Sequence, residues 1–164
     1  MKPGFIIGVD PGFSGAIAIL GPPEIGITPP LTIVDMPTIP GAKGKTELNY
    51  SEVLSSLTRS IAGMKTIMWL ERVSAMPRQG VSSMFRFGQQ FGALEMAAAA
   101  NKHELHYVTP ATWKSYFKLS ADKGVARGEA IRRFPDQAHL FARVKDDGRA
   151  EAALIAIYGR EHSK

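Results

Sequence analysis

Ile6-Ile7-Gly8-Val9-Asp10-Pro11-Gly12-Phe13-Ser14-Gly15-Ala16-Ile17-Ala18-Ile19-Leu20 is two apolar runs flanking a turn of Pro, Gly, Ser and Gly. Runs of that length with such punctuation read as two buried strands, residues 5–10 and 14–20, joined by a tight turn. Asp10 is the odd residue. A carboxylate at the end of a buried strand loses hydration at a cost unless something pairs with it. A hard divalent cation is one natural partner; capping the turn is the other reading. Gly12 and Gly15 leave room for a phosphate or another backbone to approach.

Outward from this stretch, Gly21 to Pro30 reads as a loop and Leu31 to Asp35 as a third strand. Three strands on short connections suggest an antiparallel meander. Residues 37–46 read as a flexible, solvated loop carrying Lys43 and Lys45, with a phosphate-touching arm as the alternative. Tyr50 to Gly63 has helical spacing, with Val53, Leu54, Leu57 and Ile61 on one face. Thr66 to Leu70 is a short buried strand that runs directly into Glu71, so a second buried strand delivers a carboxylate at its C-terminal end. A basic loop follows over 72–80, then a long helix from Val81 to Asn101. Gly88, Gly92, Met96 and Ala100 recur along that helix every fourth residue, with Ala93 and Ala97 to Ala99 beside them, a small-residue face suited to close packing against the sheet or, failing that, a second subunit. Glu104 to Val108 is a fifth strand, Pro110 to Phe117 a helix, and 120–145 a basic, mostly helical or turn-like stretch. A last helix runs from Asp147 to Tyr158. Strand–helix–strand crossovers force parallel pairing. The expected fold is α/β: a mixed five-stranded sheet, its first three strands antiparallel, with helices on both faces, in a single domain spanning 1–164.

The 164 residues suffice for a proper core, and 45% hydrophobic with 21% charged is ordinary globular composition. The absence of cysteine excludes disulfides and thiolate metal sites. No apolar run approaches the length of a membrane span, and no basic region followed by a long apolar core opens the chain. The expectation is a cytoplasmic protein with no membrane partner. The net charge of +5 is +1 over residues 1–100, +4 over 101–149 and zero thereafter. A basic surface suggests a polyanionic partner.

In Asp146-Asp147-Gly148-Arg149-Ala150-Glu151, Asp147 and Glu151 lie four apart, on one face of a helix. A solvated helix N-terminus accounts for Asp146 and Asp147. It does not account for Glu151, which begins the apolar face running through Leu154, Ile155 and Tyr158. Asp10, Glu71, Asp147 and Glu151, with Asp146 in reserve, together suggest a binuclear site for in-line displacement at phosphorus, where two cations steady the attacking and leaving oxygens. His103, His106, His139 and His162 show no ligand spacing.

Ile7-Gly8-Val9-Asp10-Pro11-Gly12, Leu70-Glu71-Arg72-Val73 and Asp147 to Ala156, in this order, resemble the RuvC-type Holliday-junction resolvases of the ribonuclease H-like superfamily. Ala75 to Phe85 and Thr109-Pro110-Ala111-Thr112-Trp113-Lys114 look most like the phage and organellar branch. The resemblance implies a homodimer with two active sites that nicks a four-way DNA junction symmetrically, with two Mg²⁺ or Mn²⁺ ions per site. It implies that Asp10 bridges the ions, that Glu71 is a ligand, and that the last-helix acids complete the set. DNA contacts are implied for Arg72, Met76, Arg78, Gln79, Ser82 and Ser83, and in the later helices for Lys114, Lys118 and Lys123. Two departures stand out. Bacterial RuvC has two Asp residues three apart in its last helix, whereas Gly148 here sits three before Glu151. Bacterial RuvC also has an aromatic wedge soon after its catalytic Glu, where this chain offers only Met76 and Val73. Other nucleases of the same fold, acting on RNA–DNA hybrids or on branched or flap DNA, share the carboxylate chemistry. A non-catalytic junction binder would share the fold. An actin-like ATPase would need a second lobe.

Overall fold

The computed structural model describes residues 4–22, 30–58, 64–74, 80–122 and 124–163. Strands β1 (Phe5–Asp10), β2 (Ala16–Leu20) and β3 (Leu31–Asp35) form the meander, and β6 (Thr66–Glu71) and β7 (Glu104–Val108) extend the sheet on the other side of β1. The order is β3-β2-β1-β6-β7, antiparallel from β3 to β1 and parallel from β1 to β7. The mixed five-stranded α/β sheet expected from the sequence is therefore present.

Residues 37–46 depart from the expected loop. Thr38–Pro40 (β4) and Thr46–Leu48 (β5) pair as a small antiparallel hairpin. Its tip turns through Lys43 (φ 55°) and Gly44 (φ 71°). Left-handed backbone at a turn is easy for Gly, and it lets two three-residue strands close. Strands this short carry too few residues to show alternation, so the sequence reads as loop.

Alternation along the long strands divides the core in two. Ile7, Val9, Met68 and Leu70 face α1 (Tyr50–Thr58) and α2 (Val81–Ala100), with Val53, Leu57, Leu94, Ala97 and Ala98. Ile6, Ile67 and Trp69 face the opposite side, covered by α5 (Asp147–His162) and by α3 (Pro110–Tyr116) and α4 (Val125–Arg133). The last helix runs four residues beyond its expected end, because its apolar face continues over Trp69, whose indole N–H donates to Ser163 Oγ at 3.0 Å. The expected first helix ends within the described residues at Thr58; its remainder to Gly63 lies outside them.

The small-residue face of α2 meets the sheet only in part: the row of Gly88, Gly92 and Met96 turns away from it. Nothing lies within 4 Å of where a side chain at Gly88 or Gly92 would begin, and Met96 is 69% exposed. Leu94, Ala97 and Ala98 take the sheet-facing positions instead. The expected packing on the sheet is thus made by the flanking alanines together with Leu94, whose apolar surface burial favours. Among the described residues no helix is long and apolar enough to cross a membrane.

Helix α5 lies directly against the backbone of β1. A Cβ on Gly8 would overlap the Ala152 carbonyl and sit 2.9 Å from Ala156 Cα. One on Gly148 would overlap the Ser14 carbonyl and sit 2.8 Å from Gly15 Cα. Gly148→Ala is therefore expected to lower stability by about 1–3 kcal/mol or more. Gly128→Ala, in α4 with open space around it, should raise stability by about 0.5–1 kcal/mol. Denaturant unfolding of the two variants checks the contrast.

Candidate metal centre

Two rules of sheet geometry bring the first two acids together. Val9 pairs with Leu70 in the parallel register, so Asp10 and Glu71 end adjacent strands side by side. Each lies two residues beyond an α5-facing position, Gly8 and Trp69, so both project toward α5. The close packing of α5 on Gly8 then sets Glu151 beside them. Oxygens of Asp10, Glu71 and Glu151 lie within 4.8 Å of one another.

Glu71 is buried, and its Oε1 accepts the indole N–H of Trp113 at 2.8 Å. Trp113, fully buried on α3, thereby fixes one carboxylate. Asp10 Oδ1 accepts the backbone N–H of Gly12 at 3.2 Å. Lys114 Nζ lies 3.1 Å from Glu151 Oε1 and 5.1 Å from the Trp113 ring centre. One ammonium thus faces three carboxylates. The imbalance registers in the proton affinities. Burial, then the charges of Glu71 and Glu151, push the Asp10 pKa up to about 7, against the Gly12 N–H and Lys114. Burial chiefly, with Glu151 adding to it, raises Glu71 against the Trp113 N–H and Lys114.

A clustered, desolvated set of carboxylate oxygens with too little positive charge fits hard divalent cations. The fit rests on the donor set and the charge deficit alone. In front of it opens a cavity of about 570 Å³ whose walls include Asp10, Glu151, Asp147 and Lys114.

The other two acids singled out in the sequence are placed differently. Asp147 lines the same cavity, but its Oδ1 accepts from Arg127 Nε on α4 at 2.7 Å. Asp146 is buried away from that cavity. It accepts from the backbone N–H of Arg143 at 2.9 Å and from the Arg143 guanidinium at 2.8 Å. Arg143 holds its carboxyl below the usual range. Arg149 grips Asp35 through two 2.6 Å bonds, so this second acidic cluster is neutralised and fastens α5 to β3.

Of the residues assigned to DNA, Lys114 stands among the acids, and Arg72, Ser82, Ser83 and Lys118 are exposed. Arg72 stacks over the Tyr107 ring, 5.5 Å from its centre. Met76, Arg78, Gln79 and Lys123 lie outside the described residues. Trp113 and Arg127 are the polar partners that sequence reasoning misses. The position of Trp113 next to Lys114 is the available signal for the first; nothing in the sequence marks the second.

No family model matches the chain, and no curated protein does. Solved structures do. Thermus thermophilus RuvC superposes with a TM-score of 0.61 at 15% identity, covering 96% of each chain. T. thermophilus RuvC in complex with Holliday junction substrate superposes with a TM-score of 0.60 at 17% identity, covering 97% of each. The fold is that of RuvC. On this RuvC fold, the three-residue spacing of last-helix acids is blocked by packing, since position 148 sits against the backbone of the β1–β2 turn.

The proton affinities predict a pH dependence. Folded Asp10 and Glu71 hold protons more tightly than in the unfolded chain, so stability falls as pH rises above the ordinary carboxylate range, for Asp10 until about 7. Asp35 and Asp146, both held low, act oppositely, and their contribution is lost only as pH drops below that range. Metal-free protein should melt highest in mild acid and lower at about pH 8, where Mg²⁺ or Mn²⁺ should restore the midpoint. Calorimetry at both pH values checks this, and Asp10→Asn should flatten the profile.

Proposed function

We propose that this protein is a metal-dependent, structure-selective endodeoxyribonuclease that resolves four-way DNA junctions by paired symmetric nicks. The observation that carries the reading is the convergence of Asp10, Glu71 and Glu151 at one end of the sheet in a chain with the RuvC fold. T. thermophilus RuvC has been captured on a Holliday junction, which supports branched DNA as the substrate class. The net charge of +5, concentrated outside the acidic cluster, is consistent with a phosphate backbone as partner.

Asp10, Glu71 and Glu151 hold the metal, and Asp147 joins them on release from Arg127. Bound there, two Mg²⁺ or Mn²⁺ ions supply charge neutralisation and water activation for displacement at phosphorus. The chain's own part is to keep the oxygens in place. Trp113 fixes Glu71 through its N–H, and the Gly12 N–H fixes Asp10. Lys114 holds Glu151 and presents its ammonium to the cavity that the scissile phosphate enters. Arg72, Arg78, Gln79, Ser82, Ser83, Lys118 and Lys123 contact backbone and position the junction without selecting sequence, and Met76 is the apolar candidate for a wedge.

The protein works as a homodimer, so that two sites meet two strands. The exposed α2 face of Gly88, Gly92 and Met96 supports this, because the sheet does not use it. Met96→Glu should shift the chain to monomer in sedimentation velocity and uncouple the two nicks.

Labelled four-way junction, linear duplex and RNA–DNA hybrid, each incubated with protein and Mg²⁺, provide the central test. Symmetric nicks confined to the junction are expected, and preferential cutting of the hybrid would assign a ribonuclease H activity instead. Asp10→Asn should abolish cleavage while junction binding persists in a gel-shift assay; binding without cleavage by the wild type would make the protein a junction binder. Trp113→Phe, which keeps the ring but removes the donor to Glu71, should lower cleavage about 10–100-fold and raise the Mn²⁺ concentration needed.

A further inference from the structure

Gln90 is 1% exposed, and neither its amide oxygen nor its amide nitrogen has a hydrogen-bond partner. A buried amide left unpaired costs free energy that a leucine there would not. Gln90 lines a cavity of about 380 Å³ between the β4–β5 hairpin and the N-terminal half of α2. That volume falls within the range of about 300–1,000 Å³ typical of ligand clefts.

The other walls have a consistent chemistry. Phe13, Tyr50 and Phe85 supply aromatic surface, with Phe85 66% exposed. Lys43, Lys45 and Arg86 supply positive charge against the single carboxylate of Glu47. Arg86 ties the walls together, stacking 5.1 Å from the Phe13 ring centre and donating to the Thr46 carbonyl of the hairpin. The cavity also neighbours the acidic centre. Phe13 sits in the β1–β2 turn between Gly12 and Ser14, and both of those line the acidic cavity.

We propose that this hollow receives an unpaired nucleobase next to the scissile phosphate, and that Gln90 reads its edge. The inference rests on the reading of branched DNA as substrate. An amide offers a donor beside an acceptor, the pattern that base edges present. Aromatic side chains stack on any base. The lysines and Arg86 hold the flanking phosphates, which fix register without reading sequence. The division of labour is then clear: the acids cut, the hairpin and α2 hold the base, and Gln90 confers the sequence preference.

The test uses the full chain and a panel of four-way junctions differing only in the base pairs flanking the exchange point, with Mn²⁺ as the metal. Wild type should favour one base at one position by about 5–150-fold, the discrimination of a bidentate contact. Gln90→Leu should flatten that preference to within about twofold while its thermal midpoint stays equal or rises. Phe85→Ala, at an exposed position, should weaken metal-free junction binding about 10-fold. A Gln90→Leu protein that ranks the junctions as wild type does, or a wild type that cuts all of them equally, overturns the inference and leaves the nuclease reading intact. A wild type that neither binds nor cuts any junction overturns both.

Discussion

The contact between α5 and the backbone of β1 constrains everything else at this end of the molecule. Gly8 lets the helix approach until Ala152 and Ala156 touch the strand, and Gly148 lets the first turn of the helix rest on Ser14 and Gly15. A helix held at a side chain's distance would carry Glu151 away from the strand ends. Held at backbone distance, it places a third carboxylate beside two that the parallel register has already paired. Small residues along β1 and α5 are thus a positioning device, and the low-volume face Ala150, Ala152, Ala153 and Ala156 is entirely buried.

That geometry creates an electrostatic problem, which the surroundings only partly offset. Trp113 and the Gly12 N–H stabilise the ionised carboxylates, and Lys114 supplies one positive charge, yet Asp10 still binds a proton up to about pH 7. The contrast within the chain is informative. Asp35, Asp146, Arg143 and Arg149 form an acidic group of similar density whose charges are matched, and its carboxyls titrate low. One cluster is built to be neutral by itself and serves as a fastening. The other is built short of positive charge, which is the condition a cation-binding centre requires.

Much of this is legible in the order of the residues alone. Strand ends carrying acids, the crossover order and the helical pairing of Asp147 with Glu151 all follow from short-range patterns, and the sheet matches that order. What is not legible there depends on which neighbours meet. The small residues of α2 cover more than one face, and the sequence does not say which of them packs: Ala97 and Ala98 meet the sheet with Leu94, while the row of Gly88, Gly92 and Met96 does not. The hairpin of Thr38–Pro40 and Thr46–Leu48 has strands too short to alternate. Asp146 and Asp147 are adjacent acids that sequence cannot rank. In the fold each is held by an arginine, but Asp147 lines the cavity before the acidic centre and Asp146 is buried away from it.

The glycine at position 148, where the RuvC-type pattern has an acid, is a local consequence of the β1–β2 turn. Phe13, Ser14 and Gly15 sit between β1 and β2, and Gly148 is glycine because the backbone of Ser14 and Gly15 occupies the space a side chain would need. A side chain cannot stand there without moving that backbone, and Asp147, one residue earlier, is held by Arg127. The same turn projects Phe13 to the opposite side, under Arg86 and against the hollow that Gln90 lines. Phe13 joins Tyr50 and Phe85 around that hollow, so its aromatic surface is carried by the β1–β2 turn, the start of α1 and α2. One turn thus limits what position 148 can hold and carries the ring that Arg86 covers.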